Sequence, residues 1–263
     1  MTRRIHVIAG GVAALLAVGI AGPATAHGSS AYGRPTLTGF ASLPALTFVP
    51  ASEPSGSALG TAPVNGVAAP WEDQPVQGFS GIVENEDGTF VALSDNGFGN
   101  KANSGDFVLR IHTIAPVFGS GTVDVLGGIN LTDPFQHVSW PLTRADRVLT
   151  GSDFDIESIQ RMADGTYWIG DEFGPFLLHF DRAGRLIQAP VPTPDVRAPE
   201  NPGGEAPNLG SSKGFEGMAR SADSRTLYPL LEGTVARDQM HRRREDTADP
   251  VHDIELGHRV LLP

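Results

Sequence analysis

The chain reads as an all-β protein, a β-propeller-like array of antiparallel blades, on three observations. A strand–turn–strand pattern recurs, Gly and Pro separate the apolar runs, and no segment keeps a 3.6-residue apolar period. The 32 glycines and 21 prolines sit mostly between those runs, the texture of many short strands joined by turns.

The pattern lies in three segments: "GFSGIVENEDGTFVALSDNG" (78–97), "DIESIQRMADGTYWIGDEFG" (155–174) and "GFEGMARSADSRTLYPLLEG" (214–233). The first two superimpose without a gap, setting Asp87-Gly88-Thr89 on Asp164-Gly165-Thr166. The third takes one extra residue in its turn, after which Thr226 matches Thr89 and Thr166. An Asp-Gly pair between apolar runs predicts a tight hairpin, because glycine reaches positive φ without a Cβ clash. The starts of the units lie 77 and then 59 residues apart, room for one or two more strands per unit. "DFVLRIHTI" (106–114) and "PFLLHFDRAGRLIQ" (175–188) supply candidates. A β-sandwich also alternates strands and turns, but nothing in that fold requires one hairpin to repeat at long intervals.

In chain order, residues 1–26 carry Arg3 and Arg4, an apolar run from Val7 to Ile20 and "ATA" at Ala24–Ala26, the layout of a secretion signal cleaved near Ala26. A retained anchor is the rival reading, but the run is about 14 residues against the roughly 20 that cross a bilayer. Residues 27–75 are rich in Pro, Ser, Gly and Ala, with one strand candidate, "LPALTFV" (43–49). Residues 76–235 hold the repeated units. Residues 236–263, "ARDQMHRRREDTADPVHDIELGHRVLLP", form a charged, atypical tail. Three clear units fall short of the roughly four to eight blades that close a propeller, so the array is expected to be incomplete.

Composition narrows the partners. Without the leader, 30 acidic residues face 17 basic ones, a formal charge of −13, which argues against nucleic acid and suits an exterior that contains cations. With no cysteine there are neither disulfides nor thiolate chemistry.

The overlay aligns polar groups at two places: Ser80, Glu157 and Glu216 near the start of each first strand, and Asp95, Glu172 and Glu232 near the end of each second strand. If those strands line a channel, the carboxylates ring an axis, and like charges held together call for protonation or a cation. Calcium, which takes six to eight oxygen ligands in irregular geometry, is the expected ion. Glu157, Glu172 and Glu216 are the candidate catalytic acids and bases. Asp95, Asp155, Asp171 and Glu232 are the candidate metal ligands, with Asp153 and Asn96 as further oxygen donors. Asp87, Asp164 and Asp223 read as turn residues. Lys213 and Arg220, which flank Glu216, are candidates for a substrate phosphate, and Lys101, Arg110 and Arg161 are further cations. His112, His137 and His179 lie among apolar neighbours, where a packed histidine is the commoner outcome. "GFSGI" departs from the nucleophile-elbow spacing and "NPGGEAPNLGSSKG" (201–214) from the phosphate-binding loop, so neither carries a mechanism.

At "SGIVENEDGTFVALSDNGFG", "DIESIQRMADGTYWIGDEFGPFLLHFDRAGRLI" and "KGFEGMARSADSRTLYPLLEG" the chain resembles the phytase-like family, esterase-like proteins of phytase type that bacteria commonly export. The resemblance spans roughly residues 78–233 and implies a propeller rich in Asp and Glu with phosphoesterase or esterase activity. It brings no catalytic residue with it, and the chain departs from the pattern after Val235. The expected function is an exported, calcium-assisted hydrolase of small phosphate or other esters, with no nucleic-acid partner and no stable membrane anchor. The alternatives are a calcium-stabilised binding propeller and a sugar-lactone hydrolase.

Overall fold

A computed structural model describes residues 36–63 and 66–236 and the backbone of Val260–Leu261. The leader, with its cleavage site, and most of the charged tail lie outside the described residues. From Gly39 onward the described residues form one compact unit. No helix among the described residues is long and apolar enough to cross a membrane.

The protein is all-β, and its main sheets are antiparallel meanders in chain order. A short pair, β1 (Phe48–Val49) and β2 (Gln74–Pro75), precedes them. Sheet 1 comprises β3 (Phe79–Glu84), β4 (Phe90–Ser94), β5 (Arg110–Val117) and β6 (Thr122–Asn130). Sheet 2 comprises β7 (Ile156–Arg161), β8 (Tyr167–Asp171), β9 (Phe176–Phe180) and β10 (Val191–Pro192). Sheet 3 comprises β11 (Phe215–Arg220), β12 (Thr226–Leu231) and β13 (Val260–Leu261), the last contributed by the tail. Strand β7 lies between β3 and β11, so the first strands of successive sheets are neighbours, the relationship of blades in a propeller-like array.

Each repeated segment is a hairpin with the expected turn. Gly88 and Gly165 take φ of +82° and +83°, and Ser224 takes +61° in the longer third turn. The turn aspartates are structural. Asp87 Oδ1 accepts from the Thr89 amide and hydroxyl (3.0 and 2.6 Å), and Asp164 Oδ1 accepts from those of Thr166 (2.9 and 2.7 Å). Asp223 Oδ1 accepts from the Ser221 hydroxyl at 2.6 Å and the Arg225 amide at 3.1 Å.

Burial follows the layering. In β8, Ile169 packs toward sheet 1 with Ile159, Leu178, Leu93 and Ile111, while Trp168 packs toward sheet 3 with Leu177, Phe215 and Leu227. A sheet covered on both faces needs apolar residues on both, which explains why "YWIGD" does not alternate; each fully buried Ile, Leu or Phe contributes about 1.5–3 kcal/mol. Strand β6 lies at the edge of sheet 1 and alternates between exposed and half-buried. Its "TVDVLGGIN" reads weakly as a strand because Gly127 and Gly128 mimic a turn. The 43–49 candidate shrinks to β1, and "LPALT" runs outside any strand.

Candidate functional site

All three hairpins share an irregularity that ordinary strand alternation would not produce. The pairing slips between Phe79 and Gly81, between Ile156 and Ser158, and between Phe215 and Gly217. The residues left unpaired are Ser80, Glu157 and Glu216, the positions aligned by the sequence overlay. A bulge bends its strand and re-aims the extra side chain, here at one place in every blade. The partner positions are equivalent as well. The amides of Asp95, Glu172 and Glu232 donate to the carbonyls of Gly78, Asp155 and Gly214 at 2.9, 2.8 and 2.9 Å, closing each hairpin just past its second strand.

Two carboxylate trios result. Asp155, Glu157 and Glu172 each place one oxygen within 4.8 Å of the other two, and so do Glu172, Glu216 and Glu232. Glu172 belongs to both. It is 4 % exposed, and its Oε1 is enclosed with no hydrogen-bond partner. Burial, followed by the charges of Asp155, Glu216 and Glu232, pushes its carboxyl up to about 8. Glu157 is pushed up to about 9, first by burial and then by Asp155 and Asp95, against a hydrogen bond from the Ser80 hydroxyl. Burial also raises Asp155, which accepts from the Ser212 hydroxyl at 2.8 Å and the Asn96 amide at 3.3 Å. Asp95 is raised by burial, and its Oδ1 accepts from the Gly97 amide at 2.7 Å.

The other candidates fall elsewhere. Asp171 is fully buried, with Oδ1 accepting from the Asp155 amide (2.9 Å) and Oδ2 from the Gly174 amide (2.7 Å). It clamps the backbone that carries Asp155 and Glu172. Asp153 is likewise engaged, with both oxygens accepting from the amides and hydroxyls of Thr143 and Thr150 at 2.8–2.9 Å. Asn96 uses its Oδ1 on the Gly99 amide at 2.8 Å. Lys213 reaches the site but is paired with Glu232, Nζ to Oε1 at 2.5 Å. Arg220 sits at the turn end of β11, four residues and about 13 Å of strand from Glu216. There its guanidinium donates to the Ser224 hydroxyl. His179 stacks on Trp168 at 4.2 Å and faces Thr166 and Gln188, a packed histidine of sheet 2. Ser212, which braces Asp155 from the 201–214 loop, carried no signal in the sequence.

The geometry supplies the chemistry of a cation site. Oxygens bound to one calcium at about 2.4 Å can lie no more than about 4.8 Å apart. Each trio meets that limit, and the orphaned Glu172 oxygen and the raised carboxyls are what an uncompensated acidic cluster shows. These clusters of acidic residues could therefore bind a metal ion.

An all-β, propeller-like array with carboxylates gathered where its inner hairpins end defines the class of protein. The chain belongs to the phytase-like family, described as having the esterase-like activity of phytase, whose model matches residues 74–253, past the end of the three repeated units. The match points to a hydrolase-type function. A protein of Arthroderma benhamiae described as an uncharacterized secreted protein is 32 % identical over 111 residues, covering 34 % of this chain. The chain spans only 22 % of the length of that relative. No solved structure matches the chain.

Proposed function

We propose that the protein is an exported hydrolase of small phosphate or other esters, working with calcium held by the two carboxylate trios. The observation that carries the reading is the sharing of Glu172 between them, with one oxygen buried and unpartnered. Asp155, Glu157 and Glu172 would hold one ion, and Glu172, Glu216 and Glu232 a second. Calcium bound there would neutralise the cluster, polarise an ester oxygen and lower the pKa of a bound water. The chain's own residues do the rest. Glu157, aimed by the β7 bulge and oriented by Ser80, is the member of the first trio placed to give a proton or take one with a lone pair. Asp171 and the Ser212 hydroxyl hold Asp155 in place, and Lys213 limits the negative charge on Glu232. Export is supported by the leader pattern and by the relative named as secreted. The acidic surface argues against a nucleic-acid partner, and the short apolar run against a stable membrane anchor.

The test is hydrolysis of phosphate monoester, phosphodiester, carboxyl ester and lactone substrates with calcium and with EDTA. The expected result is calcium-dependent turnover that Glu157→Gln lowers at least 100-fold while the fold is retained. Turnover of lactones alone would move the substrate class to sugar lactones. If calcium stabilised the protein but no substrate turned over, the chain would be a calcium-stabilised binding propeller, not a hydrolase.

A further inference from the structure

A second site lies on the far face of sheet 1, and none of its lining residues belongs to either carboxylate trio. A cavity of about 350 Å³ opens between β1–β2 with the Pro50–Glu53 turn and the outer strands β5 and β6. Arg110 and Asn130 are cross-strand partners, and His112 follows two residues along β5, so the three project from one face of the sheet.

Two of these groups lack the partners their burial calls for. His112 is 1 % exposed, and its Nδ1 is enclosed without a hydrogen-bond partner among the described residues. The Phe79 ring lies tilted against it, 5.8 Å away. Arg110 donates from Nη1 to Asn130 Oδ1 at 2.5 Å, its Nε is enclosed without a partner, and it has no carboxylate partner among the described residues. In a chain with 30 acidic residues against 19 basic ones, a half-buried guanidinium without a counter-charge is a poor outcome of random placement. Glu53, the only acid in the lining, is already paired with Arg144. Gln74 is spent too: its amide nitrogen donates to the carbonyls of Glu53, Pro54 and Asp106, and its oxygen accepts from the Val108 amide. Glu53 and Gln74 are therefore spoken for, and Arg110 and His112 each keep an enclosed nitrogen without a partner.

We infer that this cavity binds the oxyanion group of a small molecule, a carboxylate or a phosphate, with Arg110 supplying the charge and His112 a hydrogen bond. A guanidinium meets either anion in a forked geometry, and 350 Å³ is the low end of small-molecule sites, with Val49, Pro75 and Phe107 as apolar wall for the ligand's body. Burial and the neighbouring Arg110 hold the imidazole well below its ordinary pKa, so His112 enters the pairing neutral, with one nitrogen free to donate.

Ring-¹⁵N NMR of the full chain tests this in EDTA, which removes any cation through which the carboxylate trios could hold an anion. Inorganic phosphate, acetate and methylammonium are titrated separately, and the His112 signal is assigned by its loss in His112→Gln. The expected result is a saturable shift of that signal with phosphate or acetate and none with methylammonium. Arg110→Gln should weaken the response at least tenfold, and Glu157→Gln should leave it unchanged. Saturation by phosphate alone assigns a phosphate group, and by acetate alone a carboxylate. No saturable shift with either anion, an equal shift with methylammonium, or a response that survives Arg110→Gln overturns the site. A melting temperature for Arg110→Gln equal to that of the parent shows that the variant is folded. None of these outcomes depends on ester hydrolysis, so this site and the proposed activity stand or fall separately.

Discussion

Glu172 and Asp164 lie eight residues apart in one hairpin and should respond to neutralisation in opposite ways. Glu172 is buried, faces Asp155, Glu216 and Glu232, and has an unpartnered oxygen. Glu172→Gln removes repulsion and should raise the melting temperature in EDTA by a few degrees, since about 1 kcal/mol moves a domain of this size by roughly 2–4 °C. The same substitution should abolish the stabilisation by calcium that the proposed sites predict. Asp164 instead accepts two bonds in an exposed turn, so Asp164→Ala should cost about 0.5–1 kcal/mol and leave the calcium response intact. Thermal melts of both variants with and without calcium check the pair. His112 gives a pH dependence of its own. Its pKa falls to about 4 in the fold, through burial and then the charge of Arg110, from about 6.5 when unfolded. The unfolded chain therefore binds the proton more readily, and the contribution of His112 is complete above about 6.5 and lost as pH falls through about 4. The full effect is on the order of 3 kcal/mol, and denaturant melts of His112→Leu should show a flatter stability profile between those pH values than the parent.

Within the hairpins, the decisive feature is the repeated bulge, which turns Ser80, Glu157 and Glu216 out of register so that acids from separate sheets meet. Their convergence also needs the sheets to approach closely. At Gly170 a Cβ would press on the Ser158 hydroxyl, which can turn away, and would lie 2.9 Å from Phe215 Cβ and 3.0 Å from the Phe215 carbonyl oxygen, so β8 and the start of β11 touch almost backbone to backbone. Gly170→Ala forces them apart and should cost about 1–3 kcal/mol. It should also weaken calcium binding by the Glu172–Glu216–Glu232 trio more than by the Asp155–Glu157–Glu172 trio, which needs only sheet 2. Calorimetric titration of this variant would show one site weakened and one retained; equal loss at both would mean that the trios do not act as separate sites. At this scale the sequence was legible in part. The three hairpins, their turn aspartates and the equivalence of six polar positions follow from local pattern. The slip in pairing does not, because "FSG", "IES" and "FEG" share only a large apolar residue before the bulge and a small one after it, a pattern that a regular strand also shows. Asp153 and Asp171 read as oxygen donors for a metal, yet their oxygens are taken by backbone amides and threonine hydroxyls, partners visible only when the loops fold back.

For the whole molecule, the proposed cation sites predict that stability responds to cations. An ion that binds the folded chain and not the unfolded one stabilises by about 2.7 kcal/mol at 100 times its dissociation constant. Calcium should therefore raise the melting temperature in a concentration-dependent way. Magnesium should do so less, because it demands near-ideal octahedral geometry and gives up its water reluctantly, whereas calcium accepts irregular clusters of carboxylate oxygens. A melting temperature that ignored millimolar calcium would remove the metal from the mechanism. The array also explains how sheet 2 came to carry the site: β7 lies between β3 and β11, so Ser80 meets Glu157 from one neighbouring sheet and Glu216 meets Glu172 from the other.

The sequence by itself determined the all-β architecture, the three hairpins and the polar positions they hold in common, because strand alternation and Asp-Gly turns are set by residues adjacent in the chain. Only the tertiary structure decided which acids meet. Glu172 joins two trios, Asp171 becomes a backbone clamp, Lys213 pairs with Glu232, and Arg110 and His112 face one cavity closed by residues some sixty positions earlier in the chain. These outcomes rest on bulges, sheet-to-sheet packing and loop return, interactions between residues whose separation along the chain leaves no local pattern to read.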